Sequence, residues 1–242
     1  MRIAFISDIH GNLHPLELVL ADIHQAEVDQ IICLGDVASL GPQPREVIAR
    51  LRELQIPTIM GNHDNYLLNP KLTENQLPWL RELELWCTKL LSKDELDFLR
   101  YFQSQISVSL DKNTSMTCFH GSLRSNEEFL FPDTRSEILD EIFAGQSINF
   151  FVGGHTHVQM LRQYKELTLL NPGSVGMPFE YPMRGPDQHA FRRTEYAIVD
   201  MNNGKLTFDL RRIPIDFKQL AEAARVSGMP NWEFWLKAWE VG

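Results

Sequence analysis

Five short apolar runs in this chain each end in a small group of Gly, Asp, Asn and His, and this repeated arrangement constrains the fold more than any other feature. The runs are Ile3–Ile6, Gln30–Leu34, Ile56–Met60, Ser115–Phe119 and Ile148–Val152. The groups that follow are Asp8-Ile9-His10-Gly11-Asn12, Gly35-Asp36, Gly61-Asn62-His63-Asp64, His120-Gly121 and Gly154-His155-Thr156-His157. Amphipathic segments at Leu13–Gln25 and Pro44–Leu54 separate the first three runs, so the chain begins strand, helix, strand, helix, strand. Near-continuous apolar strands alternating with helices indicate parallel strands buried on both faces. In open α/β sheets the loops at the C-terminal strand ends present ligand sites, so one crevice can collect all five groups.

Between Pro70 and Phe102 the pattern is helical only, with Leu, Trp and Glu dominant and a Ser92-Lys93-Asp94-Glu95 capping box. Trp79, Leu83 and Trp86 are read as packing residues of this insertion. A hairpin is expected from Ile106–Leu110 and Ser115–Phe119, and a helix at Ser136–Ala144 with Thr134 and Glu137 as its capping pair. Strands at Val158–Tyr164, Leu167–Leu170, Glu195–Met201 and Lys205–Arg211 follow, the last two turned by Asn203-Gly204. The expected fold is α/β, a four-layer α-β-β-α sandwich of two mixed sheets flanked by helices. Residues 1–242 are read as a single domain, with a helical insertion at about 70–104 and an irregular loop at about 172–193.

The ligand types in the five groups are imidazole, carboxylate and amide oxygen without thiolate, which suits Mn, Fe, Zn, Co or Ni at a catalytic site. The glycines before Asp36, Asn62 and His155 are expected to permit a sharp departure from the strand. Any one group alone reads as a turn, a cap or a core histidine; all five in this order read as a site. A net charge of -9 argues against a surface that grips a polynucleotide, and no apolar stretch approaches the length of a membrane span. Three cysteines, Cys33, Cys87 and Cys118, leave one unpaired under any disulfide scheme, which points to a reducing, cytoplasmic setting.

The order D-x-H, G-D, G-N-H-D, H, G-H-x-H from Asp8 to His157 resembles the calcineurin-like metallophosphoesterase superfamily. Asn171-Pro172-Gly173-Ser174-Val175-Gly176 and Gly41-Pro42-x-Pro44 further resemble its compact bacterial and archaeal phosphodiesterase branch, which includes relatives of dinucleoside polyphosphate hydrolases. The resemblance implies one divalent metal held by Asp8, His10, Asp36 and His157, and a second held by Asp36, Asn62, His120 and His155, with Mn or Fe favoured. It implies a metal-bound hydroxide as nucleophile, attacking the phosphodiester or phosphoanhydride bond of a small substrate, in particular a nucleotide. It also places His63 on the substrate side as a stabiliser or proton donor, with Asp64 orienting it. Asn12 is a candidate phosphate contact and equally a turn former.

Arg184, His189, Arg192 and the adjacent Arg193 lie in the irregular loop, where they are candidates to bind further phosphate groups or to be solvated surface charges. Trp232, Trp235 and Trp239, with Phe234 and Leu236, form a C-terminal aromatic patch that either docks on the chain's own core or makes a homo-oligomer interface. A phosphomonoesterase or protein phosphatase is the alternative within the same chemistry. A non-catalytic scaffold of the same fold is the alternative outside it, opposed by the presence of His63, Asp64 and every ligand position.

Overall fold

The protein was analysed as a computed structural model, which describes residues 1–70, 77–112, 114–182 and 189–239. In chain order the elements are β1 (Arg2–Ile6), α1 (Leu13–Gln25), β2 (Gln30–Cys33), α2 (Pro44–Glu53), α3 (Asn62–Leu68), α4 (Pro78–Leu90), α5 (Lys93–Leu99), β3 (Ile106–Ser109) and β4 (Ser115–Cys118). They continue with α6 (Ser136–Ile142), β5 (Phe150–Val152), β6 (Met160–Tyr164), β7 (Leu167–Asn171), β8 (Arg193–Asn202), β9 (Lys205–Pro214), α7 (Phe217–Val226) and α8 (Trp232–Leu236).

One sheet has the order β2-β1-β8-β9 and the other β3-β4-β5-β7-β6. Both are mixed: β1 runs parallel to β2 and antiparallel to β8, while β5 runs parallel to β4 and β7 and the edge strands β3 and β6 are antiparallel to their neighbours. Alternation along each strand sorts side chains into layers. Ile3 and Phe5 of β1, Ala197 and Val199 of β8, and Phe150 and Val152 of β5 share the core between the sheets. Ala4, Ile6 and Ile198 face the opposite way, against Leu16 and Val19 of α1 and Val47 and Leu51 of α2. Phe151 points out of the second sheet onto Leu139 and Ile142 of α6. Helix, sheet, sheet, helix is therefore the layer order.

Pro15 and Pro44 both lie in the first turn of their helices, where a missing N–H removes no intrahelical bond. At α5 the expected capping box is formed, with Ser92 accepting from Glu95 N and Glu95 accepting from Ser92 N. Two local expectations are corrected. Ile56–Met60 makes only isolated bridges, Thr58 with Cys33 and Ile59 with Gln103, so it is an extended connection and not a strand. Thr134 does not cap α6; its hydroxyl accepts from Phe131 N at 2.8 Å, and the residue at the cap is Arg135.

The C-terminal aromatic patch docks on the chain itself. Trp235, Leu236 and Trp239 are buried with Leu220 of α7, Leu83 of α4 and Met177, leaving Phe234 exposed. Most of the patch therefore lies inside the chain's own packing. Cys33, Cys87 and Cys118 are buried free thiols, and no described helix is long and apolar enough to cross a membrane.

Candidate metal centre

The loops leaving β1, β2, β4 and β5, together with the start of α3, converge at one end of the paired sheets. Asp8, His10 and His157 bring one ligand atom each to within 4.8 Å of one another, and so do Asp36, His120 and His155. Asp36 faces both groups, its Oδ2 lying 3.8 Å from His10 Nε2 and 3.3 Å from His120 Nε2. Its other oxygen accepts from His63 N at 2.9 Å, which fixes the carboxylate plane. Asn62 Oδ1 lies 3.1 Å from His120 Nε2, so the amide joins the second group.

Backbone conformation in these loops is unusual for the residue types involved. Asp8, His10, Asp36, His155 and His157 all have left-handed φ, between 49° and 68°. Each such residue costs about 1–3 kcal/mol, a strain found where surrounding structure fixes a functional geometry. The three glycines divide between conformation and contact. Gly35 does take a positive φ, of 106°, but Gly61 and Gly154 matter through contact. A Cβ on Gly61 would fall 2.0 Å from Asp36 Oδ1, and one on Gly154 2.1 Å from Ser7 Oγ.

The donor set fits divalent cations. Asp8 Oδ1 and His155 Nε2 are buried without a hydrogen-bond partner, a costly state for polar atoms in a protein interior. Nδ1 of His10, His120 and His157 lies 3.1, 2.7 and 2.7 Å from the carbonyl oxygens of Ser39, Leu34 and Met177. A carbonyl only accepts, so each Nδ1 carries the proton and, in a neutral ring, Nε2 presents a lone pair. The Nε2 atoms of His10 and His157 then face each other at 3.0 Å with no donor between them. Backbone carbonyls fixing the tautomer of inward-facing imidazoles is the usual outer support of a metal site.

Electrostatics agree. Burial pushes His10 down to about 3, and burial together with His120 pushes His155 down to about 4, so both rings are neutral and able to donate a lone pair at neutral pH. Burial would raise the Asp8 carboxyl, but His157 and His120 hold it down to about 2. Against the effect of burial, Asp36 and Asp8 draw His120 up to about 9, so the carboxylates demand positive charge at the position the ligands surround.

The remaining candidates divide. His63 lies at the start of α3, half-buried, its ring 5.4 Å from that of His10. Its Nδ1 is 3.0 Å from Glu84 Oε1 on α4. Asp64 does not take the orienting role: its oxygens accept from the backbone N–H groups of Asp36, Val37 and Gly61. As a pin for the Asp36 loop, Asp64 is buried beside that carboxylate and pushed up to about 7. Asn12 is fully buried and donates to the carbonyls of Ile9 and His10, so it braces the first loop and is not open to substrate. Arg192 donates to Trp239 O and lies over the Phe217 ring, holding the C-terminal helices. His189 is half-buried, and Arg184 lies outside the described residues.

Several supporting residues had no signal of their own in the sequence. Ser174 donates to Asp8 O, and Asn171 donates to Gly154 O and Thr156 Oγ1, so the 171–176 segment ties the first and last ligand loops together. Resemblance marked that segment; no local pattern gave its function. Glu84 sits in an amphipathic helix among other acids, so its type and spacing carry no mark of the site. A cavity of about 390 Å³ reaches His120 past Asn65 and Asn126. Another, of about 900 Å³, lies between α1, α2 and the start of β2 and touches none of the clustered ligands.

With this geometry in place, comparison with known proteins is direct. Residues 1–204 match the family model of the calcineurin-like phosphoesterase superfamily domain. An uncharacterised protein of Methanocaldococcus jannaschii is 30% identical over 241 residues, 95% of this chain and 94% of its own. The phosphodiesterase YfcE of Escherichia coli is 28% identical over 188 residues, 74% of this chain and 81% of its own. The crystal structure of a metallophosphoesterase from Sphaerobacter thermophilus superposes with a TM-score of 0.75 at 27% identity, covering 98% of both chains.

Proposed function

The chain belongs to the calcineurin-like phosphoesterase superfamily and is a metal-dependent phosphoric ester hydrolase, and from that premise we propose that it works with two divalent cations on a phosphodiester or phosphoanhydride of a small substrate, in particular a nucleotide. The observation that carries the proposal is the position of Asp36, one carboxylate facing two separate groups of imidazole and carboxylate ligands.

In this reading Asp8, His10, Asp36 and His157 hold one cation, and Asp36, Asn62, His120 and His155 the other. A pair of cations, when bound, supplies charge neutralisation at the phosphoryl oxygens and lowers the pKa of water at the site. The chain's own groups do the rest. The carbonyls of Ser39, Leu34 and Met177 keep His10, His120 and His157 in the donor tautomer. The His63 backbone N–H locks Asp36. Burial of nearly every ligand excludes bulk water and strengthens each electrostatic contact.

His63 is the proton donor to the leaving oxygen. Burial lowers its affinity for a proton, but Asp36 and Glu84 reverse that and hold the imidazole above its ordinary range, in a form able to give a proton. The net charge of -9 counts acids that this site would neutralise, so it disfavours a long polyanion without disfavouring a small phosphate ester.

The test is a grid of metals against substrates on purified protein: a bis-aryl diester, an aryl monoester, cyclic nucleotides and dinucleoside polyphosphates, each with Mn, Fe, Zn, Co or Ni. The expected result is turnover of diesters or anhydrides above the monoester in at least one metal. Monoester preference would move the assignment to a phosphomonoesterase, and inactivity throughout with Mn loaded would favour a scaffold.

A further inference from the structure

Beside the ligand groups runs a row of aromatic rings that neither the core nor the chemistry above uses. His155 stacks on Phe129 with centroids 4.2 Å apart and planes 21° from parallel. Phe129 stacks with Phe131 at 5.4 Å and 7°, and Phe131 with Tyr181 at 5.2 Å and 27°. Nearly parallel rings at such centroid distances are offset, so each covers only part of the next and leaves ring surface open. Phe129 is 50% exposed although it touches a residue of the metal centre.

The row is held rigidly from behind. Leu130, between the two phenylalanines, is buried with Phe119, Leu139 and Phe151, while Phe129 is exposed and Phe131 half-buried. Arg162 donates to the carbonyls of Phe131 and Thr134, Phe131 N donates to Thr134, and the Tyr181 hydroxyl is bonded to Asp133. Arg124, a cation on the same loop, is occupied by Glu128 and Glu141. A planar, uncharged group therefore suits this wall better than a second phosphate does.

Resting on the phosphoesterase reading above, we infer that Phe129, extended by Phe131 and Tyr181, is a stacking platform for a nucleobase carried on one ester arm of the substrate. Continuity with His155 places that platform directly beside the phosphoryl position. The fold spends exposed aromatic area here on a rigid surface, which is how planar bases are held without reading their edges. The substrate class that follows is a nucleotide diester or anhydride in preference to an alkyl phosphate.

Two diesters that release the same nitrophenolate isolate the base: p-nitrophenyl thymidine 5′-phosphate and p-nitrophenyl ethyl phosphate. Phe129→Leu keeps apolar bulk and removes the π face. We expect it to lower the ratio of kcat/KM between the two diesters about tenfold, mainly through KM, with Phe129→Tyr restoring the ratio. Calorimetry of thymidine 5′-monophosphate against ethyl phosphate on Mn-loaded protein reads the same preference without turnover. An unchanged ratio, or equal losses on both diesters, overturns the platform. If the native protein hydrolyses neither diester, the diester part of the reading above fails, and calorimetry alone decides the stacking: preference for the thymidine ligand lost in Phe129→Leu supports it, and no preference overturns it.

Discussion

His63 Nδ1 and Glu84 Oε1 are 3.0 Å apart, which joins the residue beside a proposed metal ligand to helix α4. Helix α4 thus contributes to the site as well as to packing. A carboxylate on Nδ1 fixes the ring, leaves Nε2 toward the cleft and favours the protonated form. We predict that His63→Ala lowers kcat about a hundredfold or more with bound metal retained. Glu84→Gln should lose about tenfold, and lose more on an alkyl ester than on a nitrophenyl ester, because the poor leaving group needs the proton most. Steady-state kinetics on the two esters, with metal content measured alongside, checks both. Near-native kcat in His63→Ala, or an equal loss on both esters in Glu84→Gln, would remove His63 as the donor.

Gly154 carries a different constraint. A methyl group there would meet Ser7 Oγ at 2.1 Å and Asp8 Oδ2 at 3.0 Å. Gly154→Ala should therefore destabilise the protein by about 1–3 kcal/mol and displace the Asp8 carboxylate. Urea unfolding of chelated protein reads the first effect and metal affinity the second. A variant with native stability and native affinity would mean that the loops yield more easily than their contacts imply.

Away from the site, Asp22 accepts from the Tyr196 hydroxyl and from Arg211, a cluster that joins α1 to β8 and β9. Burial raises the Asp22 carboxyl, but those two partners outweigh it and hold the pKa below the ordinary value. A depressed folded pKa stabilises above the unfolded value of about 3.9, and that stabilisation disappears as pH falls through the lower folded pKa. Asp22→Asn should accordingly melt below the native protein at pH 6 to 7, with the gap closing below about pH 4. Thermal melts across that range test it; a gap that widens in acid would reverse the sign.

Much of this was legible before the fold was known. A near-continuous apolar run marked β1, and α1 is observed at Leu13–Gln25, the bounds its periodicity implies. The clustered ligand residues were legible because each group is local, two to five residues long, and four of the five follow a strand. What was not legible depends on contacts between distant elements. Asp64 is next to His63 in the chain, yet successive side chains on a helix point about 100° apart, and Asp64 turns back onto the backbone of the Asp36 loop. Glu84, 21 residues away, reaches His63 instead. Arg192 looked like a phosphate ligand by type, but its partner is the carbonyl of Trp239, 47 residues further on. Ile56–Met60 has the composition of a strand and lacks a neighbour that runs beside it for more than one bridge.

The most direct test of the two-cation account is the metal content of the purified chain after loading with Mn and removal of free ion. Asp36 faces both ligand groups, so native protein should hold two equivalents per chain, and Asp36→Asn should lose the second and weaken the first. Native protein that saturates at one equivalent, or an Asp36→Asn variant that still holds two, would contradict it.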